Sequence, residues 1–191
     1  MTRADGYRHW GLFWAIALGG AAFDLITKTL IFAWVGEQGS RRTLIPNILE
    51  LHTSHNTGAL WGFARNMAHS SLVFAALSIV AAVFICYWLH VRGAATDRKL
   101  TIALALIMAG ALGNCYDRLV FGYVRDFVHF HVDPIGFDCA IFNFADNMLV
   151  AGAVMLMLLA LRPEPPESDP PDPSTVEAEP HSKSSEPIHS L

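Results

Sequence analysis

Long apolar runs separated by short polar segments dominate this chain, and the length of each run sets the first structural expectation. The run from Trp10 to Val35 holds roughly 25 residues, which at about 1.5 Å of rise each exceeds a hydrocarbon thickness of about 30 Å. Further runs over about 71–91, 100–118 and 141–161 bring the prediction to four membrane-spanning helices, the first over 10–35. Tyr87 and Trp88 close the second run, where interfacial aromatic residues belong. Arg3 and Arg8 before the first run imitate an export signal, but the run is too long for a cleaved one. The segment 36–69 reads differently: Leu49, Leu51 and Thr53 alternate with Glu50 and His52, and Gly36, Gly39 and Pro46 punctuate them. A period of two predicts short strands, so a small sheet is expected between helices one and two. Asn56-Thr57-Gly58 signals a turn. Leu60, Trp61 and Phe63 then form an apolar lip that suits an interfacial anchor or a substrate platform.

Composition sharpens this picture. The chain is 53% hydrophobic and 16% charged, with a mean hydropathy of +0.36, at the upper edge of what soluble domains show. The formal net charge of -4 is local, because the residues after Pro163 hold seven acids against the single base Lys183. Dense in Pro, Glu, Ser and Asp, residues 163–191 cannot bury enough apolar surface to order themselves, and a disordered tail is expected there. Residues 1–162 form the expected membrane body. Four helices place both termini on one side, and Arg3, Arg8, Arg92, Arg98, Lys99 and Arg162 make that side cytoplasmic. Arg41, Arg42, Arg65, Arg118 and Arg125 fall outside, so the charge asymmetry is modest. Cys86, Cys115 and Cys139 have no zinc-ligand spacing; Cys86 lies mid-helix, and Cys115 and Cys139 could pair only on an oxidising side.

Carboxylates at membrane depth are the residues that composition makes least expected, since each costs several kcal/mol unless paired or hydrated. Asp24 and Lys28, four apart with the acid first, share a helix face as an ion pair. The helix count puts Asp117, Asp126 and Asp146 on one side, with the segment 36–69. Two carboxylates close together do not both ionise, so one holds a proton while the other acts as base toward a water. Any of the three acids could instead be an ion pair or a helix cap, with Arg118 and Arg125 at hand for Asp117.

Five blocks in order then resemble a known family. Phe23-Asp24 with Thr27-Lys28 is followed by His55-Asn56-Thr57-Gly58-Ala59, and Gly110-Ala111-Leu112-Gly113-Asn114 runs into Asp117-Arg118. Val124 with Asp126-Phe127 and Phe142-Asn143 with Ala145-Asp146 complete the set. Together, over about Trp10 to Leu161, they resemble the lipoprotein signal peptidases, or type II signal peptidases. The resemblance implies a mainly α membrane protein: four transmembrane helices with a small periplasmic β-cradle between helices one and two, in the bacterial cytoplasmic (inner) membrane with both termini cytoplasmic. It implies an aspartic endopeptidase with Asp126 and Asp146 as the catalytic pair near the outer surface. Asn56, Gly110, Asn114, Arg118 and Asn143 take substrate-binding or supporting roles by the same resemblance, and Asp24, Lys28 and Asp117 structural ones. The implied substrate is a prolipoprotein whose cysteine carries a diacylglyceryl group, cut on the amino side of that cysteine. Membrane lipid is the other expected partner. No cofactor, metal or nucleic acid is expected. The chain departs from the family pattern at Ala109, where many members have glycine, and at Asn147, where a small hydroxyl residue is common.

Two other readings compete. His129 and His131, two apart, would point the same way if on a strand, and together with His52, His55 and Asp133 would suit a metal enzyme if these came near. A small transporter or proton-conducting module would use the intramembrane acids, but a relay needs carboxylates at successive depths, and all except Asp24 crowd one face.

Overall fold

The computed structural model describes residues 9–58, 70–91 and 94–162. The predicted aromatic lip Leu60, Trp61 and Phe63, the basic residues Arg3, Arg8, Arg65 and Arg92, and the tail 163–191 lie outside the described residues.

In chain order the elements are α1 (Trp10–Val35), β1 (Arg41–Ile45), β2 (Leu49–Asn56), α2 (Ser70–Val91), α3 (Arg98–Phe121), β3 (Val124–Val132), β4 (Phe137–Asp138) and α4 (Phe144–Ala160). α1, α2 and α3 are long and apolar enough to cross a membrane, whereas α4 has 17 residues and is the short one. The starts of α3 and α4 moved for local chemical reasons. α3 begins at Arg98 because Asp97 caps it, its side chain accepting the N–H groups of Lys99 and Leu100 at 2.7 and 3.2 Å. α4 begins at Phe144 rather than near 141 because Asn143 is its cap.

α3 is the centre of the bundle. It packs on α1, α2 and α4, and its buried stripe is built from small residues: Ala103, Ala105, Ala109, Gly110, Ala111 and Gly113. Helices in lipid gain no hydrophobic drive from association, so close backbone approach at small residues supplies the contact. A methyl group on Gly110 would collide with the Ala145 carbonyl oxygen and lie 2.7 Å from Leu149 Cγ; one on Gly113 would lie 2.5 Å from Asp24 Oδ2. α2 is the opposite case: Leu72, Val80, Val83 and Phe84 are exposed, the pattern of a helix that faces lipid.

The sheet is wider than the sequence pattern predicted. Four antiparallel strands run in the order β1-β2-β3-β4, and the connection between α3 and α4 contributes β3 and β4. β3 escaped the alternation test because its start reads Val124-Arg125-Asp126-Phe127, with a charged residue on each face, and all four are buried, so neither face stands out as apolar. Phe127 and Leu51 pack against Phe32 near the end of α1, which fastens the sheet to the bundle. His55 stacks between Phe32 and Tyr123, with ring centroids 5.8 and 3.7 Å away.

Candidate active site

The chain reversal after α3 sets the site's geometry. Gly122, at φ +80°, ends the helix in the left-handed region that glycine adopts without a Cβ clash, and its N–H bonds to the Arg118 carbonyl. β3 therefore runs back along the last turn of α3, and Arg125 meets Asp117. The Arg125 guanidinium donates to Asp117 Oδ1 through Nη2 at 2.8 Å and Nε at 3.2 Å, while its backbone N–H donates to Oδ2 at 3.0 Å. Lys28 reaches the same carboxylate at 3.3 Å and Asp24 at 2.7 Å. The other Asp24 oxygen accepts the Ala145 N–H at 2.9 Å. Two acids and two bases thus form a neutral group, in which Asp24, Lys28 and Asp117 are fully buried. Fully buried charges are tolerated only when paired and hydrogen-bonded in this way.

The third donor of Lys28 leads to the remaining acids. Its ammonium donates to Asn114 Oδ1 at 3.0 Å, and Asn114 Nδ2 donates to Asp146 Oδ1 at 2.8 Å. Asn143 bridges the next gap: its Nδ2 donates to Asp126 Oδ1 at 2.6 Å and to Asn114 Oδ1 at 3.2 Å. The same residue caps α4. Its Oδ1 accepts the Asp146 N–H at 3.0 Å, and Asp146 Oδ2 accepts the Asn143 N–H at 3.1 Å, a reciprocal capping box.

Asp126 receives a second amide from the sheet. A bulge on β2 between Leu51 and Ser54 resets the register, leaving Ser54 opposite Asp126 and Asn56 diagonal to it on the same face. Asn56 Nδ2 donates to Asp126 Oδ2 at 3.0 Å while its Oδ1 accepts the Gly58 N–H at 2.9 Å, so the turn fixes which end of the amide faces the acid. Burial, with repulsion from Asp146 behind it, pushes the Asp126 carboxyl up to about 7, against the two amide hydrogen bonds.

The predicted site residues fall into two adjoining groups. Asp126, Asp146, Asn56, Asn114 and Asn143 form one amide-held network. Asp24, Lys28 and Asp117 form the ion group, joined to the network through Asn114. Gly110 is one of the close contacts between α3 and α4, meeting Ala145 and Leu149 one turn from Asn114 and Asp146. Arg118 touches neither acid by a hydrogen bond among the described residues: its Nη1 donates to the Asn114 carbonyl at 3.4 Å, and it lies over the Phe74 ring. Its buried Nε has no hydrogen-bond partner among the described residues. Arg125, the main partner of Asp117, stood outside the predicted site residues; the sequence offered it only as one of two cations at hand for Asp117.

The histidines group differently from the metal-enzyme reading. Glu50, His52 and His129 come together on the sheet, while His55 is stacked between two aromatic rings. Cys86, Cys115 and Cys139 are free thiols, so Cys115 and Cys139 are not bridged.

Comparisons with known proteins bear on this arrangement. The model of the family described as signal peptidase (SPase) II matches residues 16–162. The lipoprotein signal peptidase of Rhodopirellula baltica is 36% identical over 162 residues, covering 78% of this chain and 71% of that protein. The lipoprotein signal peptidase of Paraburkholderia phymatum is 40% identical over 141 residues, covering 73% and 81%. A bacterial membrane enzyme whose structure was determined in meso at 1.9 Å resolution superimposes with a TM-score of 0.69 at 30% identity, over 81% of this chain and 95% of that one.

Proposed function

The chain belongs to the signal peptidase II family, and from that premise we propose that it cleaves prolipoproteins with Asp126 and Asp146 as an aspartic dyad. It is a bacterial membrane peptidase that removes signal peptides from prolipoproteins. The finer reading concerns the chemistry, the substrate's lipid and the side of the membrane.

One observation carries the dyad: of the four acids in the site, Asp126 and Asp146 alone are held by amides rather than by cations among the described residues. An amide N–H orients a carboxylate without holding it permanently ionised, so the proton stays movable. Charge balance points the same way. Asp24, Asp117, Asp126 and Asp146 face Lys28, Arg118 and Arg125, so a single proton on the pair makes the set neutral. Asp126, pushed up to about 7, is the group that holds that proton.

In the proposed reaction a water between the carboxylates attacks the scissile carbonyl carbon. Asp146 takes the water's proton as the new C–O bond forms, and Asp126 donates its proton to the carbonyl oxygen. The tetrahedral intermediate collapses when Asp146 passes its proton to the leaving amine and Asp126 recovers the hydroxyl proton. Asn143, bonded to both acids, keeps them facing each other, and Asn56 and Asn114 fix the outer oxygens. Arg118 brings a positive charge and an unspent donor beside the pair.

The proposed substrate carries a diacylglyceryl group on the cysteine that follows the cut. An apolar cavity of about 380 Å³ lined by Leu30, Leu44, Leu51, Phe127 and Phe144 opens beside the sheet, a setting suited to acyl chains. The sheet and both acids lie at the bundle end opposite His9 and Ala160, and Arg98, Lys99 and Arg162 mark the latter end as cytoplasmic, so the site is proposed to face the outer surface. Residues 163–191 are proposed as a cytoplasmic tail outside the catalytic body.

The test is a gel-shift assay of purified protein on a prolipoprotein with and without its diacylglyceryl group. Wild type should cut only the lipidated form, and Asp126→Asn or Asp146→Asn should each lose about 10²–10⁴-fold in rate while still folding. Wild-type turnover by folded Asp126→Asn would end the dyad assignment. Equal cutting of both precursors would end the lipid requirement.

A further inference from the structure

On the sheet, outside the network that holds Asp126 and Asp146, Glu50, His52 and His129 converge so that one ligand atom of each lies within 4.8 Å of the others. We propose that these three residues form a binding site for a divalent transition-metal ion of the zinc class, which ties β2 to β3. The proposal is independent of the peptidase reading.

The strands create the cluster. Glu50 and His129 are directly paired residues of β2 and β3, and His52 lies two further along β2, on the same face as Glu50. His129 Nδ1 is 2.8 Å from Glu50 Oε1, and His52 Nδ1 is 3.8 Å from the same oxygen. Zinc bonds of about 2.0–2.1 Å in a tetrahedron separate neighbouring donors by about 3.3 Å, a value that the two distances bracket. Side-chain adjustments that bring all three ligand atoms, now within 4.8 Å of one another, to that spacing would complete the coordination, leaving one position for water.

Two further features mark the site as more than a salt bridge. His129 Nε2 lies 2.6 Å from Asp138 Oδ1, so the ring is held at both nitrogens by carboxylates. That is the carboxylate–histidine–metal arrangement, in which the outer acid fixes the ring and raises its strength as a ligand. A ring that donates Nε2–H to Asp138 presents its Nδ1 to Glu50 at 2.8 Å, and only a cation, whether proton or metal, makes that approach favourable. His52 Nδ1 is buried and lacks a hydrogen-bond partner among the described residues, so its lone pair is unspent. A cavity of about 420 Å³ beside Glu50 and His129 supplies the entry.

Arg41 opposes the ion. Its Nη1 lies 3.5 Å from Glu50 Oε1, but the side chain is 61% exposed and can swing into solvent. This makes Arg41 a handle with the opposite sign from the ligands.

The experiment uses the full-length, untagged protein in detergent, stripped with a chelator and titrated with zinc sulfate in a calorimeter. Thermal unfolding is followed in parallel. The proposal expects one saturable site and a higher Tm with zinc. His52→Ala and His129→Ala should abolish that site, Asp138→Asn should weaken it about 10–100-fold, and Arg41→Gln should tighten it up to about fivefold. Asp138 is 74% exposed, so its variant folds even where a histidine variant fails. Absence of saturable binding in wild type overturns the proposal. So does binding unchanged in Asp138→Asn and His52→Ala, which would assign the zinc to other histidines such as His181 and His189.

Discussion

Asp24 and Asp117 on one side of Asn114, and Asp126 and Asp146 on the other, are the same residue type in one continuous network, yet their surroundings differ in kind. The first two meet Lys28 and Arg125 at 2.7–3.3 Å and are fully buried. The second two meet Asn56, Asn114 and Asn143. A cation partner fixes the ionised form, and its loss leaves an uncompensated buried charge. Amide partners fix position and leave protonation free to change. The difference teaches how a bundle this apolar can hold four carboxylates: one pair spends its charge on the fold, and that rigid group presents the other pair in a defined geometry.

The largest test of the contrast is Lys28→Met. It removes the ammonium from Asp24 and Asp117 and the donor from Asn114 in one step, and should destabilise the protein by about 3–5 kcal/mol, read from thermal unfolding in detergent. Stability within about 1 kcal/mol of wild type would mean that the two groups do not differ in the way described.

Gly110→Ala sharpens the comparison with a smaller effect. The added methyl group meets the Ala145 carbonyl and Leu149, so α3 and α4 must separate, at about 1–3 kcal/mol. Because Asn114 on α3 holds Asp146 on α4, cleavage should fall along with stability, whereas the ion pair between Lys28 and Asp24, both on α1, is untouched. Unfolding and precursor cleavage measured on one preparation check both halves.

Much of this was legible in the sequence, for uneven reasons. Helix spans come from run length, a local property, and every helix boundary lies within three residues of the expected one. The strand pattern of Leu49 to Asn56 was legible because one face of β2 is less buried than the other. β3 was not, since burial on both faces at its start erases the alternation, and pairing with β2 is a non-local event. Among the acids, the charge pattern left Asp117 as eligible as Asp126. What separates them is Gly122, whose positive φ folds Arg125 back onto Asp117, and no spacing rule encodes that reversal. Asn143 was expected only in a substrate-binding or supporting role, and its capping box with Asp146 is a local contact. Its reach to Asp126 and Asn114 as well depends on three elements meeting.

The central claim is that the amide-held pair shares a movable proton, and the pH dependence of kcat/KM for cleavage of a lipidated precursor tests it most directly. Below about 7, Asp126 holds its proton and can donate to the scissile carbonyl; as pH rises through about 7 that proton is lost. The account predicts a rate that falls about tenfold per pH unit on the alkaline side, with a midpoint that belongs to the pair rather than to either residue. A rate that stays level or rises from about pH 6 to about pH 9 would contradict it.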